Sequence, residues 1–374
     1  MTEKLPQAEK IEQKYIETEQ TFLPLFPEKI TAAFSYQADK IIDQVYLSHP
    51  SEEYNLRIRR INIDKKFTPT LKNKGVQTKD GLQRKEINGT MTSDSFWAYA
   101  KDVPRVHKVR ATPHENIDID FFDDGHIHVE SENPESWQRF IREHEMENDF
   151  IEVTGDRIVD NEWRAHREYR ANNKGREALV PKPDLNADEV NANILRTHRE
   201  KGQVTVAVGG RSGSGKSTLV RQLRQQLHEI GLTTGVISTD DYNYGNTHLY
   251  RIGGGHWENY DSNETYDLAL CRAHLGRLAS GLIIPRHVYD FASNEPLVQG
   301  RVQPSDVLFV EGIKAHHSDF RQLADLYIEV PTSLATSIGR RVIQRDIIER
   351  PLFSPEQNLT NYLKYTEPEY QALF

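Results

Sequence analysis

The chain has 374 residues, which is more than one domain usually contains, so the length predicts two domains that each bury a core. Hydrophobic residues make up 37% and charged residues 28%, and apolar runs recur throughout, which excludes a wholly disordered protein. The net charge of -9 excludes a general basic surface for nucleic acid or anionic lipid, so we expect any polyanion to bind a local basic site.

Cysteine content and hydropathy indicate the compartment. Cys271 is the single cysteine, so no intrachain disulfide can form, and we expect a small buried side chain in a reducing compartment. The first residues lack the apolar segment of a signal peptide, and no run of 18 apolar residues occurs. These features predict a cytoplasmic protein that binds neither nucleic acid nor a membrane.

Short alternating segments between residue 11 and about residue 150 predict an antiparallel β domain. These segments cover residues 40–47, 54–63, 68–72, 106–111, 117–122 and 126–130. From about 156 to 202 the chain becomes strongly charged, which we interpret as a helical linker. The predicted domains are therefore 1–155, a linker at 156–202, and 203–374.

Apolar strands alternate with helical patterns after residue 202, which predicts a parallel sheet covered by helices. These strands are expected at residues 204–208, 235–238, 307–310 and 326–330. The fold class is thus an antiparallel β-barrel domain of the α+β type followed by an α/β domain with a parallel sheet.

A glycine-rich loop follows the first of these strands, and leucines at helical spacing follow the loop. The order of strand, GxxxxGKS and helix is the phosphate-binding P-loop, in which backbone N–H groups and the helix N-terminus face phosphate oxygens. Lys216 is expected to reach the β and γ phosphates, and the Ser217 hydroxyl to hold Mg²⁺. The predicted ATP-binding residues are Gly210, Arg211, Ser212, Gly213, Ser214, Gly215, Lys216, Ser217 and Thr218.

Residues 203–374 resemble the uridine/cytidine kinase branch of the phosphoribulokinase–uridine kinase family. The segment STDDY at residues 238–242 is similar to the family's SxDxFY, and the segment VLFVEGI at 307–313 is similar to its VLFEGI. The resemblance implies that Asp240 is the general base near Mg²⁺ and that Glu311 completes the Mg²⁺ shell. A ribose hydroxyl is a weak nucleophile that needs such a carboxylate.

Further segments of the same half resemble the acceptor site and lid of that family. The resemblance of NYDSNETYD at 259–267 and of VYDF at 288–291 implies that Asp261 and Tyr289 bind the acceptor. The segment RRVIQRDIIER at 340–350 resembles the family's lid helix, which implies that Arg341 contacts the acceptor. Arg345 and Arg350 would then stabilise the transferred phosphoryl group. Leu352 stands where the family has a further arginine, and the histidine that follows YDF in the family is absent.

Residues 11 to about 150 resemble the CYTH, or triphosphate tunnel, superfamily, whose fold is a closed antiparallel barrel with a charged bore. Glu12 and Lys14 match the opening ExExK, residues 44–47 match QxYL, and charged pairs two residues apart follow in family order. Residues two apart on a strand share a face, here the tunnel face. The resemblance implies that Lys14, Arg57, Arg59, Lys72, Arg84, Lys108 and Arg110 bind phosphate and that Glu12, Glu130 and Glu132 bind metal.

The sequence leaves three functions open. The first is an ATP-dependent and Mg²⁺-dependent kinase for a nucleoside-like acceptor, as the second half implies. The second is a tripolyphosphate or pyrophosphate hydrolase in the tunnel, with the P-loop domain regulatory. Lys10 and Asn88 stand where the CYTH pattern has acids, which favours the third function, a nucleotide sensor without turnover. The expected partner is a small-molecule nucleoside or polyphosphate, and a homo-oligomer is left open.

Overall fold

The computed structural model describes residues 14–62, 66–157, 160–174, 177–179, 185–346 and 353–373. The chain divides into two compact units, the first of Met1–Pro181 with Pro355–Thr360 and the second of Lys182–Ser354 with Asn361–Phe374. Within the described ranges, every helix is too short or too polar to span a lipid bilayer.

Among the described residues, the first unit contains ten strands, four α-helices before residue 182, and α10 (Pro355–Asn361), whose residues Pro355–Thr360 belong to this unit. The strands are β1 (Ile16–Pro24), β2 (Lys40–Tyr46), β3 (Tyr54–Ile61), β4 (Lys66–Asn73), β5 (Val76–Thr78), β6 (Gly81–Asn88), β7 (Arg105–His114), β8 (Ile117–Phe122), β9 (Ile127–Ser131) and β10 (Phe150–Glu152). The helices are α1 (Pro27–Phe34), α2 (Ser93–Tyr99), α3 (Pro134–Glu143) and α4 (Asn161–Asn172).

Eight of these strands close into an antiparallel barrel. They are hydrogen-bonded in the order β1, β9, β8, β7, β2, β3, β4, β6, and β6 pairs back onto β1 with Arg84 opposite Glu17. Strands β5 and β10 extend the sheet beside β6 and β1. The predicted antiparallel barrel is therefore confirmed, and closure leaves a bore inside it.

The apolar core of this unit lies outside the barrel wall, between the strands and the helices α1 and α3. Ile119 and Val129 point outward and pack with Phe34, Trp137 and Phe140 in one buried cluster. Because side chains alternate along a strand, the charged residues between these apolar positions point into the bore.

Helix α4 packs on the same barrel, with Ala165 buried against Tyr46, Val106 and Phe122. The segment 156–202, predicted as a linker, thus contains α4 of the first unit and a further helix whose apolar face lies in the second core. The domain limits proposed from the sequence stay a prediction.

The second unit contains six strands and most of the remaining helices. The strands are β11 (Val204–Gly209), β12 (Thr234–Ser238), β13 (Ile284–Asp290), β14 (Glu295–Val302), β15 (Val307–Glu311) and β16 (Leu326–Glu329). Its helices are α5 (Ala187–Lys201), α6 (Lys216–Glu229), α7 (Gly245–Ile252), α8 (Leu268–Ala279), α9 (Leu334–Gly339) and α11 (Glu367–Gln371), with π-helical turns at Arg340–Arg345 and Tyr362–Thr366.

Four of these strands form the predicted parallel sheet, in the order β12, β15, β11, β16. Val206 and Phe309 face α5 and α6 in one buried cluster, whereas Ala207 and Val310 face α8 in another. Both faces of the sheet are therefore covered, and the parallel strands end at one edge, where α/β proteins bind ligands. Strands β13 and β14 form a separate antiparallel hairpin.

Candidate functional site

The glycine-rich loop connects β11 to α6 and has a backbone that only glycine adopts readily. Gly210, Gly213 and Gly215 have positive φ angles of 144°, 86° and 97°. At Gly213 a Cβ atom would lie 2.2 Å from the Ser337 carbonyl oxygen, so a side chain is excluded there. Helix α6 begins at Lys216 without a side-chain cap among the described residues, so its first N–H groups are available to an anion.

Lys216 is held inside this loop by the loop's own carbonyl groups. Its Nζ atom donates to the Gly210 oxygen at 3.1 Å and to the Arg211 oxygen at 2.9 Å. Burial lowers the pKa of Lys216, while the negative charges of Asp240 and Glu311 act in the opposite direction. The two loop carbonyl groups therefore hold the ammonium group in place, and the charges of both carboxylates act on it.

Ser217 and Glu311 meet where β11 and β15 end. The Ser217 hydroxyl lies 3.0 and 2.9 Å from the two carboxylate oxygens of Glu311. Burial raises the pKa of Glu311, and the nearby charge of Asp240 raises it further. A hydroxyl and two carboxylates are hard oxygen donors, which is the ligand set that Mg²⁺ prefers, so these residues fit that ion.

Asp240 lies in the 3-10 turn Thr239–Tyr242, directly after β12. In the described part of the chain, no group donates a hydrogen bond to its carboxylate, so that side chain can accept one from a substrate hydroxyl. Its neighbour Asp241 accepts a hydrogen bond from the Tyr289 backbone N–H at 2.9 Å, and burial raises the pKa of Asp241 to about 6. The sequence did not single out Asp241, which anchors β13 beside Asp240.

The predicted lid and acceptor residues lie next to the loop. The positive charges of Arg345 and Arg341 both act to lower the pKa of Lys216. Arg341 is 3.9 Å from the Asp261 carboxylate, which also accepts a hydrogen bond from Thr366. Arg341 and Asp261 are thus brought together.

Other predicted residues of this unit have different surroundings. The Arg211 guanidinium is paired with Glu367 at 2.9 Å and donates to the Thr332 carbonyl at 2.7 Å, so its side chain anchors the loop to α11. Tyr289 is buried, with its ring 5.0 Å from that of Phe291. Arg350 lies outside the described residues.

A second candidate site is the bore of the barrel, a charged cavity of about 320 Å³. Five of the seven cations predicted to bind phosphate line it. They are Arg57, Arg59, Lys72, Arg84 and Arg110.

The other two predicted cations do not line the cavity. Lys14 has an exposed side chain 3.4 Å from Glu356, because β1 begins only at Ile16 and the inward alternation starts after Lys14. Lys108 is buried in an ion pair with Asp120. The expectation of a tunnel position is corrected for Lys14, whereas Lys108 shares its face of β7 with the cavity-lining Arg110, and its phosphate-binding role stays a prediction.

The acidic lining is larger than the sequence predicted. Glu130 and Glu132 line the cavity, whereas Glu12 lies outside the described residues. Glu17 and Glu19 on β1 also face the bore, and their spacing of two on a strand was the signal that could have identified them. The further lining acids are Glu86, Asp118, Asp156, Asp160 and Glu162.

Anion-binding and cation-binding chemistry coexist in this cavity. Burial, together with the neighbouring charges of Arg57 and Arg110, lowers the pKa of Arg59 to about 10, so an anion would relieve the repulsion among these cations. Burial also raises the pKa of Glu17 to about 7. The described lining holds nine carboxyl groups and five cations, so a bound polyphosphate would need a divalent cation, for which carboxylate oxygens are suitable donors.

Comparison with known proteins assigns each half separately. The model of the phosphoribulokinase/uridine kinase family matches residues 205–372, and the model of the CYTH domain matches residues 8–122. The uridine kinase of Brevibacillus brevis is 34% identical over 167 residues, which is 44% of this chain and 76% of that protein.

The chain is also similar to a plant protein and, at lower identity, to a solved kinase structure. The uridine kinase-like protein 3 of Arabidopsis thaliana is 30% identical over 47% of this chain and 38% of its own length. The solved D-glycerate 3-kinase of Cryptococcus neoformans is 17% identical, with a TM-score of 0.39 over 50% of this chain and 87% of that one.

Proposed function

Since the chain belongs to the phosphoribulokinase/uridine kinase family and also carries a CYTH domain, we propose that its kinase domain phosphorylates a nucleoside-like acceptor with ATP. One observation carries this proposal. Lys216, the Ser217–Glu311 pair and Asp240 lie together at the ends of three neighbouring strands of the parallel sheet. A carboxylate at this position is the group that an acceptor hydroxyl needs to orient it and accept its proton.

The residues divide the reaction between them. The loop N–H groups and Lys216 hold the β and γ phosphates, and Ser217 and Glu311 would hold Mg²⁺, which neutralises phosphate charge when bound. Asp240 orients the acceptor hydroxyl and takes its proton. The hydroxyl oxygen then forms a bond to the γ phosphorus as the bond to the β-phosphate oxygen breaks, and ADP leaves.

The acceptor would lie on the side of Asp261 and Arg341. The Asp261 carboxylate can accept hydrogen bonds from ribose hydroxyls, and Arg341 fixes its position at 3.9 Å. Arg341 and Arg345 place positive charge near Lys216, where negative charge develops during transfer. The names of the relatives support uridine or cytidine as the first acceptors to examine.

Product analysis tests this proposal directly. Purified full chain is incubated with Mg-ATP, with and without uridine or cytidine, and nucleoside monophosphate and ADP are quantified. We expect monophosphate from the wild type and from Arg57→Ala, but none from Lys216→Ala. Formation of ADP and inorganic phosphate at the same rate without any nucleoside would contradict the proposed acceptor class.

The cavity of the barrel supports a second candidate function, hydrolysis of tripolyphosphate or pyrophosphate. The observation that carries this candidate is that three arginines and three glutamates line one cavity. They are Arg57, Arg59 and Arg84 with Glu17, Glu130 and Glu132. The cations would neutralise the phosphate chain, and a divalent ion held by the acids would activate water.

The same assay with tripolyphosphate and pyrophosphate separates the two candidates. Release of phosphate that Arg57→Ala abolishes and Lys216→Ala leaves intact would make the barrel an enzyme in its own right. Binding of tripolyphosphate without release, measured by calorimetry, would make it a binding domain.

A further inference from the structure

Three potential metal ligands meet in the first unit, away from the cavity lining. One ligand atom from each of His49, His166 and Glu177 lies within 4.8 Å of the other two. His49 Nε2 is 3.8 Å from a Glu177 oxygen, and the rings of His49 and His166 are 5.3 Å apart. His166 is buried and the other two are partly exposed, so the cluster is open on one side.

Both imidazoles are held by a hydrogen bond at one ring nitrogen. His166 Nε2 lies 2.9 Å from the Ser48 carbonyl oxygen. Because a carbonyl can only accept, Nε2 carries the proton and Nδ1 keeps its lone pair. His49 Nδ1 accepts a hydrogen bond from the Ser51 backbone N–H at 3.2 Å and lies 2.7 Å from the Ser51 hydroxyl. Ligation through Nε2 would therefore move the ring proton to Nδ1, where the Ser51 hydroxyl can accept it in place of the contact with the backbone N–H.

The carboxylate is oriented in the same manner. One oxygen of Glu177 is 3.2 Å from Arg170 Nη1, while the other points toward His49. Each of the three side chains is therefore contacted by one group outside the cluster, and one ligand atom of each lies within 4.8 Å of the other two. This is the arrangement that ligands of protein metal sites show, since outer hydrogen bonds hold the inner ligands in place.

We propose that His49, His166 and Glu177 bind a divalent transition-metal ion of the zinc class. Two imidazoles and one carboxylate suit Zn²⁺, whereas Mg²⁺ prefers oxygen donors alone. Ligand atoms at about 2.0–2.1 Å from a tetrahedral Zn²⁺ lie roughly 3.4 Å from one another. The three ligand atoms now lie within 4.8 Å of one another, so binding would need them to approach by little more than about 1 Å. The open side leaves the fourth position to water or a substrate.

The location gives this site a structural consequence. His49 lies in the loop between β2 and β3, His166 lies on α4, and Glu177 lies beyond the end of α4. A bound ion would tie α4 to the barrel beside Ser48. The Ser48 hydroxyl in turn donates a hydrogen bond to Glu162, which lines the cavity, so the metal would brace one wall of the bore.

Metal binding by the full chain tests this site. Protein freed of metal is equilibrated with excess Mg²⁺ to occupy oxygen sites, and Zn²⁺ is titrated against a chromophoric chelator. Co²⁺ is added separately, and its visible absorption reports tetrahedral imidazole ligation. We expect one Zn²⁺ per chain, and an affinity that falls by more than about 100-fold in His49→Ala.

Two further variants make the outcome decisive. His256→Ala removes an exposed histidine that also lies 2.9 Å from a carboxylate, that of Glu258, and is expected to leave Zn²⁺ affinity unchanged. Ser51→Ala keeps all three ligands and the backbone N–H but removes the hydroxyl that can accept the Nδ1 proton when Nε2 ligates, so affinity should fall about 10-fold or more. Zn²⁺ should raise the thermal unfolding temperature of the wild type more than that of either cluster variant. Equal Zn²⁺ affinity in wild type, Ser51→Ala and His49→Ala would overturn the proposal, as would a Co²⁺ spectrum without tetrahedral bands.

Discussion

Replacement of Glu162 by glutamine should stabilise the first unit, and the gain should depend on pH. Glu162 lies in the first turn of α4, is buried, and accepts a hydrogen bond from the Ser48 hydroxyl. Burial raises its pKa from 4.5 to about 8. The side chain is therefore protonated and neutral at pH 7 in the folded protein, and glutamine is a neutral substitute of similar shape.

The direction and magnitude of the pH dependence follow from the pKa of Glu162 in the unfolded and in the folded protein. The folded state keeps a proton that the unfolded state releases above pH 4.5, so the free energy of unfolding falls as pH rises. The slope is about 1.4 kcal/mol per pH unit and ends near pH 8, where the folded state also ionises. At pH 7 the ionisation of Glu162 in the unfolded state has lowered the wild type's free energy of unfolding by about 3 kcal/mol, and the Glu162→Gln variant has no such loss.

Urea unfolding of the full chain at pH 5, 6, 7 and 8 measures the difference. Tryptophan fluorescence follows mainly the first unit, because Trp97, Trp137 and Trp163 lie there and only Trp257 lies in the second. We expect the variant to match the wild type within about 1 kcal/mol at pH 5 and to exceed it by about 3 kcal/mol at pH 7.

Glu168→Gln is the matched control, since Glu168 is an exposed carboxylate on the same helix that pairs with Arg164 at 3.3 Å. Its effect should stay within about 0.5 kcal/mol at every pH, as is usual for an exposed ion pair. A Glu162→Gln gain that is equal at pH 5 and pH 8, or a loss at pH 7, would refute the assignment of a raised pKa to Glu162.

Three further predictions concern the two candidate sites. Gly312→Ala should destabilise the second unit by about 2 kcal/mol or more in calorimetry and slow phosphotransfer in a kinase assay, because φ is 136° and a Cβ would lie 1.9 Å from Thr239 Oγ1. The control Gly276→Ala in α8, where a Cβ would meet no atom within 4 Å, should change neither the stability nor the rate. Glu311→Gln should lower kcat by about 100-fold or more without lowering the thermal unfolding temperature at pH 7, because burial raises the pKa of Glu311; a fall in both would show a structural role. Arg59→Gln should weaken tripolyphosphate binding about 10-fold or more by calorimetry, and unchanged affinity would place the anion elsewhere.

Local sequence was sufficient to predict the phosphate loop and most of the strands. The loop, its lysine and the start of α6 lie within a few consecutive residues, so spacing alone determines their geometry. The ends of parallel strands meet at one edge of the sheet, which is why Asp240 and Glu311 could be placed near the loop before the fold was known. The alternation of Arg57 and Arg59 on β3 likewise placed both in the bore.

Tertiary structure alone decided the features that depend on pairing between distant segments. Closure of β6 onto β1 directs Glu17 and Glu19 into the bore, and no property of the single strand β1 shows that it is the closing one. The Arg211 side chain fits a phosphate site as well as an anchor, and only its contact with Glu367 makes it an anchor.

The cluster of His49, His166 and Glu177 shows the same limit. Its two histidines are far apart in the chain and share no motif, so no spacing rule could join them. The sequence by itself therefore determined which strands and loops form and which chemistry each carries. The tertiary structure decided which of those groups face one another, because burial and pairing depend on contacts that only the folded chain makes.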